Sequence, residues 1–204
     1  MTPTVETVVA DFGRQAKEKF SNPVITGEPE DQLRAPFEFL LVGISALCGF
    51  SKGQVVAVGE TTVEDLKTRP DYAVTVRGPL VGFVELKAPG KGADPRKFKD
   101  PHDKEQWSKL SLLPNLIYSD GNSFSLWRSG ELQGAIVHLD GDVETSGDAL
   151  ASTPGLLTIF ESFLSWEPQA PRSAKELAEI SARLCRLLRD EVTEQLALKN
   201  EALT

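Results

Sequence analysis

Apolar residues recur every three or four positions in five segments of the chain, a spacing typical of amphipathic helices. The second segment begins near Pro29, and Gly49 follows it as a stop signal. The last segment opens with Ser173 and Glu176, which form a capping-box pattern at the start of a long helix. The five predicted helices cover residues 4–20, 29–47, 103–113, 155–166 and 173–204.

Shorter apolar or alternating segments between these helices predict strands. Gly78 and Pro79 separate two of them and indicate a hairpin, and the turn sequence Asp120-Gly121-Asn122 indicates a second one. Gly130 marks a further turn. The predicted strands cover residues 54–61, 71–77, 80–87, 115–119, 123–128 and 132–139.

The order of these elements predicts the fold class. Two helices, a short meander, a third helix and more strands are typical of an α/β or α+β domain with a mixed central sheet. With 204 residues, of which 40% are hydrophobic, the chain can form one well-cored domain with an appendage. We expect an N-terminal helix and connection (1–27), a core (28–140), a short helix and linker (141–172) and a C-terminal connector helix (173–204).

The charge distribution narrows the function classes. A net charge of −8 argues against a protein that coats nucleic acid non-specifically, because such binding depends on neutralising phosphates. It does not exclude a nuclease, whose acidic metal site can lie inside a local basic groove. Residues 87–109 are net basic within this acidic chain, and their cations are Lys87, Lys91, Arg96, Lys97, Lys99, Lys104 and Lys109.

Cysteine and apolar content indicate a cytoplasmic location. Cys48 and Cys185 are isolated and lie in apolar helical contexts, so we expect reduced core thiols, with a disulfide as the alternative. His102 and His138 are expected at the surface, and two histidines without cysteine pairs argue against a zinc site. The chain has no apolar run of about 18 residues and no secretory signal pattern at its N-terminus, so we expect no membrane association.

The first predicted hairpin carries charges where a buried strand is expected. Side chains alternate along a strand, so Glu85 and Lys87 share a face and Leu86 points to the other. A three-residue turn at 77–79 places Asp71 opposite Glu85, and a shift by two places it opposite Lys87. A register between these would pair Asp71 with Leu86 and scatter the charges over both faces.

Two carboxylates that converge in this way suit Mg²⁺, which prefers oxygen ligands and keeps several sites for water and phosphate. Asp71 and Glu85 would hold one or two divalent ions, with the Leu86 carbonyl as a further ligand. Lys87 would orient a water molecule, stabilise the transition state, or act as a base if its pKa were lowered. The competing interpretation is a solvated strand face, for which a Glu-x-Lys triplet has no functional meaning.

Pro70-Asp71 followed by Glu85-Leu86-Lys87 resembles the signature of PD-(D/E)xK nucleases. Glu30 lies where such domains often carry an acidic residue on the first core helix. Gln106 lies where Mrr-like members place a glutamine on the helix after the motif. The aromatic residue, often a tyrosine, that usually follows this glutamine has only an imperfect match in Trp107 or Leu110.

The resemblance extends over roughly residues 28–195. LPNLIYSDGNSFSLWRSGE resembles the next hairpin in the nuclease domains that open single-chain restriction–modification proteins, and SAKELAEISARLCRLLRDEV resembles the helical connector towards their methyltransferase part. The resemblance implies a four-stranded mixed sheet flanked by helices, as in restriction endonucleases. It also implies Mg²⁺-dependent cleavage of double-stranded DNA, with Mn²⁺ as a substitute, by the N-terminal module of a restriction or phage-defence protein. Further methyltransferase, motor or specificity domains or subunits would be its partners.

Several assignments stay open at this point. Glu30 is either a site residue or a helix N-terminal charge favoured by the macrodipole, and Glu38 is the competing acidic residue. Lys91, Lys97 and Lys99 are either phosphate contacts or a solvated loop. Trp107 and Trp127 are expected in the core rather than as base-stacking residues. The rival functions are a degenerate nuclease fold that binds DNA or protein, and an interaction domain that pairs through its terminal helix.

Overall fold

The computed structural model describes residues 3–22, 27–59, 63 and 68–167, together with six isolated positions between 174 and 189. Its continuous part contains the helices α1 (Val5–Phe20), α2 (Pro29–Leu47), α3 (Pro101–Leu110) and α4 (Leu156–Leu164). Side chains of Thr4 and Asp100 cap α1 and α3, and a proline lies in the first turn of both α2 and α3. The predicted helix from Ser173 lies outside the described residues, apart from the isolated positions.

Seven strands form one mixed sheet in the described part of the chain. Neighbouring strands follow the order β1 to β6, and β7 pairs with β5. Only β3 and β4 are parallel among these pairs, and α3 lies in the connection between them. The strands are β1 (Val55–Gly59), β2 (Tyr72–Val76), β3 (Leu80–Leu86), β4 (Leu116–Ser119), β5 (Ser123–Arg128), β6 (Glu131–Leu132) and β7 (Val137–His138).

Helices cover both faces of the sheet. On one face α1, α2 and α4 share a large core with strand residues that include Val84 and Ile117. On the other face Leu110 of α3 packs with Phe83 and Tyr118 in a second core. The predicted alternation along β3 is therefore confirmed, and the side of the strand that carries Glu85 faces α3. The mixed α/β class is also confirmed, although the sheet has more strands than the four that the resemblance implies.

The β2–β3 hairpin has the register predicted for a three-residue turn. Tyr72 lies opposite Val84, which aligns Asp71, the residue before β2, with Glu85. Nearer the turn Thr75 pairs with Leu80, and a bulge between Val74 and Thr75 shifts the pairing by one residue, which is what brings Tyr72 opposite Val84. The hairpin therefore brings the two predicted carboxylates to the same end of the sheet.

Some sequence-based predictions were wrong in detail. The strand predicted over 132–139 is two short strands, because the chain turns through Gly134 with a φ of 75°. α3 spans Pro101–Leu110 instead of 103–113, because the Asp100 cap starts it earlier. Cys185 is exposed and not in a core, whereas Cys48 is half-buried; both are free thiols. His102 and His138 are exposed, as predicted.

Candidate active site

Asp71 is held by two contacts at the start of β2. Its Oδ2 accepts a hydrogen bond of 2.8 Å from the backbone amide of Leu86, and its Oδ1 accepts one of 2.8 Å from Nη2 of Arg34 on α2. Burial raises the pKa of Asp71, while the Leu86 amide and the Arg34 guanidinium lower it. The carboxylate is thus fixed against the end of β3 by groups from both neighbouring elements.

Glu85, Lys87 and Gln106 form a closed triangle of hydrogen bonds. Nζ of Lys87 donates to Oε1 of Glu85 at 2.8 Å and to Oε1 of Gln106 at 2.7 Å. Nε2 of Gln106 donates to the same Glu85 oxygen at 2.6 Å. Gln106 reaches the strand because α3 packs over this face of the sheet. The resemblance placed a glutamine on this helix, and its contacts with Lys87 and Glu85 come from the packing.

The second oxygen of Glu85, Oε2, is buried and accepts no hydrogen bond within the described residues. Glu85 is only 3% exposed. Burial raises the pKa of Glu85 to about 7; the Lys87 ammonium group lowers it and the Asp71 carboxylate raises it. An unpartnered buried carboxylate oxygen is costly, and a cation beside it would remove that cost.

Lys87 is a protonated ammonium group in this arrangement. Its burial lowers the pKa, but Glu85 and two further carboxylates nearby outweigh burial, so the pKa of Lys87 lies above its ordinary value. The lowered pKa that a general base would need is therefore absent. Lys87 is a hydrogen-bond donor and a positive charge at this site.

Of the two acidic candidates on α2, Glu30 faces the site. Burial raises the pKa of Glu30 and the charge of Lys87 lowers it, which shows that the two side chains interact electrostatically. Glu38, eight residues further along the helix, instead accepts a hydrogen bond of 2.9 Å from the hydroxyl of Tyr72. Glu38 is thus engaged at Tyr72, and Glu30 remains the candidate whose charge is coupled to Lys87.

The loop between β3 and α3 differs from the solvated loop that its composition suggested. Ala93 and Phe98 are buried, and Gly92 donates its amide to Oδ2 of Asp120 at 2.7 Å. Nζ of Lys91 lies 2.7 Å from Oδ2 of Asp103, next to the site.

The other two loop lysines are exposed at the surface. Lys97 is 81% exposed and lies 3.4 Å from Asp94, and Lys99 is also exposed. Only Lys91 of the three predicted phosphate contacts is joined to the carboxylate cluster in the described contacts.

The aromatic residues of α3 and β5 are packing residues, as predicted. Trp127 is buried, and the half-buried Trp107 meets it edge to face at 4.9 Å between ring centroids. Trp107 also packs against Tyr118 at 5.7 Å. These contacts dock α3 on the sheet and so hold Gln106 against Lys87.

Sequence reasoning missed two charged residues of the site, Arg34 and Asp103. Arg34 lies one turn after Glu30 on α2, and Asp103 lies three residues before Gln106 on α3, so each shares a helix face with a residue that was considered. Such spacing is the signal that could have found them. Their ion pairs, however, depend on how the helices pack on the sheet.

The side chains that could bind a divalent cation are few, but they are of a suitable chemical type. Among the described residues no group of three or more acidic, histidine or cysteine side chains is arranged to hold a metal ion. Asp71 and Glu85 supply two carboxylates, and Mg²⁺ is commonly bound in proteins through one or two carboxylates plus water and substrate phosphates. The buried, unpartnered oxygen of Glu85 is the feature of this chain that fits such an ion.

Comparison with known proteins supports the fold. No family model and no curated protein matches the chain. A chain in the cryo-EM structure of a DrdV–DNA complex matches with a TM-score of 0.52 at 19% sequence identity, over 81% of this chain and 14% of that chain. At this identity the likeness concerns the fold alone, and this protein corresponds to a small part of the matched chain.

No helix in the described residues is long and apolar enough to span a membrane.

Proposed function

We propose that this protein is a Mg²⁺-dependent DNA endonuclease module of the PD-(D/E)xK type, within a restriction–modification or phage-defence protein. The convergence of Asp71, Glu85, Lys87 and Gln106 around a buried, unpartnered carboxylate oxygen carries the proposal. The shared fold with part of a protein solved in complex with DNA supports it.

Asp71, Glu85 and the Leu86 carbonyl would hold the cation, which supplies Lewis acidity that offsets charge on the scissile phosphate. Lys87, as an ammonium group, donates a hydrogen bond towards the attacking water or the phosphate oxygens. Gln106 keeps the ammonium group at the end of β3 through its 2.7 Å contact. Glu30 adds negative charge on the α2 side of the same site.

Double-stranded DNA is the proposed substrate, and the lysines after β3 are its proposed phosphate contacts. Lys91, Lys97 and Lys99 lie on a loop whose buried residues fix it to the sheet, so their backbone positions are set before DNA binds. Sequence specificity and delivery of DNA would come from further domains or subunits, such as a methyltransferase, motor or specificity part. A cytoplasmic location is part of this proposal.

Cleavage of supercoiled plasmid in Mg²⁺ or Mn²⁺ tests the proposal directly. Wild type should nick the plasmid, and Asp71→Ala and Lys87→Ala should lose the activity while keeping the circular dichroism of a folded protein. Asp11→Ala and Lys109→Ala are matched controls, because both change an exposed charge in a local helix ion pair. Equal nicking by all variants would show contamination or another active site.

A second candidate function is a nuclease-fold module that binds DNA or protein without cutting. One observation favours it: Arg34 neutralises Asp71 and Lys87 neutralises Glu85, so the carboxylates already have cationic partners. Calorimetry with Mn²⁺ separates the two functions. Binding that is lost in Asp71→Ala supports the nuclease even if the isolated chain does not cut, and absence of binding supports the non-catalytic module.

A further inference from the structure

Asp103 lies against the two lysines that border the candidate site. Its Oδ2 is 2.7 Å from Nζ of Lys91, and its Oδ1 is 4.0 Å from Nζ of Lys87. One carboxylate on α3 therefore contacts both the end of β3 and the loop that follows it. The proposed chemistry described above gives this residue no role.

Helix-dipole stabilisation alone does not explain why Asp103 is buried. Asp103 lies in the first turn of α3, where a negative charge is favourable, but that interaction does not require burial. Glu105, two residues further along, has a side chain that is 67% exposed and pairs with Lys109 at 2.9 Å. The side chain of Asp103 is only 5% exposed. Burying a carboxylate is costly unless cations compensate it, and both compensating cations here belong to the candidate site.

We infer that Asp103 is a positioning residue of the proposed nuclease site, which holds the ammonium groups of Lys87 and Lys91 where they face a DNA phosphate. This inference rests on the proposed function. Lys87 also contacts Glu85. When Glu85 serves as a cation ligand, however, its negative charge is shared between that cation and Lys87, and Glu85 holds Lys87 less strongly. Asp103 and Gln106 then remain as the α3 partners of Lys87.

The contact between Asp103 and Lys91 can be tested separately from the contact between Asp103 and Lys87. The side chain of Lys91 is 36% exposed, so the ammonium group forms an ion pair with Asp103 on one side and is open to solvent on the other. Oδ2 of Asp103 accepts no hydrogen bond within the described residues, so the contact is electrostatic. Nζ of Lys91 also lies 5.6 Å from the centre of the Phe98 ring, which limits its motion further. A lysine held in this way loses less conformational entropy when it contacts a phosphate than a free surface lysine does.

The first readout needs neither DNA nor metal. Lysine amines of the intact protein are acylated with a limiting amount of an N-hydroxysuccinimide acetate, and the rate at each lysine is followed by mass spectrometry. In Asp103→Asn the rate at Lys91 should rise about two- to fivefold, the effect expected for loss of a partly exposed ion pair. Glu105→Gln is the matched control, and it should raise the rate at Lys109 and leave Lys91 unchanged.

The second readout separates positioning from binding. At saturating plasmid, the single-turnover nicking rate of Asp103→Asn should fall about 10- to 100-fold, as is usual when a residue that orients a functional group is removed. Its DNA affinity should not fall, because the substitution also removes a negative charge that repels phosphates. Glu105→Gln should keep the wild-type rate.

Four results decide the matter. Faster acylation of Lys91 together with slower nicking supports the inference. Unchanged acylation of Lys91 overturns it whatever the DNA assay shows, and so does faster acylation with unchanged nicking. If wild type neither nicks plasmid nor binds Mn²⁺ while Lys91 acylation rises in Asp103→Asn, the proposed function has failed, and the role of Asp103 fails with it although the contact stands. Should Asp103→Asn not fold, Lys91→Gln replaces it, with Lys109→Gln as control, because Lys109 is similarly exposed (37% against 36%) and pairs with Glu105 instead of a site residue. Slower nicking by Lys91→Gln alone supports the inference, and equal rates overturn it.

Discussion

The ammonium group of Lys87 lies 2.8 Å from a carboxylate oxygen of Glu85, and both side chains are at most 5% exposed. Each charge is therefore tolerated in the interior only because the other is present. The pair has a second consequence. Since Glu85 has a raised pKa and Lys87 stays protonated, the site contains a cation and a carboxyl group that gains negative charge near neutral pH.

Removal of Lys87 should destabilise the protein. We expect Lys87→Met to lower the free energy of unfolding by roughly 2–4 kcal/mol at pH 8, because it leaves Glu85 buried without its cation. The loss should be smaller at pH 6, where Glu85 can take up a proton. Urea denaturation measures it. Lys109→Met, which removes an exposed partner of Glu105, should change the free energy by less than about 1 kcal/mol.

Stability of the metal-free protein should fall as pH rises from about 5 to 8. Burial raises the pKa of Glu85 to about 7, above its ordinary value of 4.5, so in this window the folded state binds more protons than the unfolded state. Thermal unfolding in a chelating buffer measures the effect. Glu85→Gln removes the titrating group and should flatten the slope. An unchanged slope in that variant would show that Glu85 has an ordinary pKa.

Arg34 should weaken cation binding at Asp71. Its Nη2 lies 2.8 Å from Oδ1 of Asp71, so a cation at that carboxylate is repelled by the guanidinium group. We expect Arg34→Met to tighten Mn²⁺ binding about three- to tenfold, within the range of a partly exposed charge interaction. Isothermal titration measures it. Arg14→Met serves as the control, because Arg14 pairs with Asp11 and Asp148 on another part of the surface.

Gly82 should not accept a side chain. A Cβ at this position of β3 would lie 2.6 Å from the Phe163 ring and 2.7 Å from the carbonyl oxygen of Asn115. Gly82→Ala should therefore lower the free energy of unfolding by about 3 kcal/mol, a value typical of overpacking against a rigid backbone. Gly59→Ala, whose Cβ meets no described atom nearer than Tyr72 at 3.9 Å, should be nearly neutral. Comparable denaturation midpoints for the two variants would contradict the packing of β3 against Phe163 of α4 and against Asn115.

The local pattern of apolar and turn residues was sufficient to predict most of the helices and strands. The helical period gave the bounds of α2, and the Asp120-Gly121-Asn122 turn correctly separated β4 from β5. The pattern failed over 132–139, where apolar residues continue but Gly134 turns the chain. A run of suitable residues cannot show by itself whether its backbone stays extended, because that depends on which neighbouring strand is available for pairing.

The sequence by itself determined that Glu85 and Lys87 share one face of a strand and that Asp71 lies near the same end of the hairpin, because strand alternation and a short turn depend only on residues close together in the chain. The register that aligns Asp71 with Glu85 depends on the bulge between Val74 and Thr75. Only the tertiary structure decided that Glu85 is buried, that Glu38 contacts the hydroxyl of Tyr72, and that Arg34 and Asp103 complete the charge cluster. These features arise where α2 and α3 pack against the same end of the sheet. Their packing is set by contacts between residues far apart in sequence, whose distances no local period can specify.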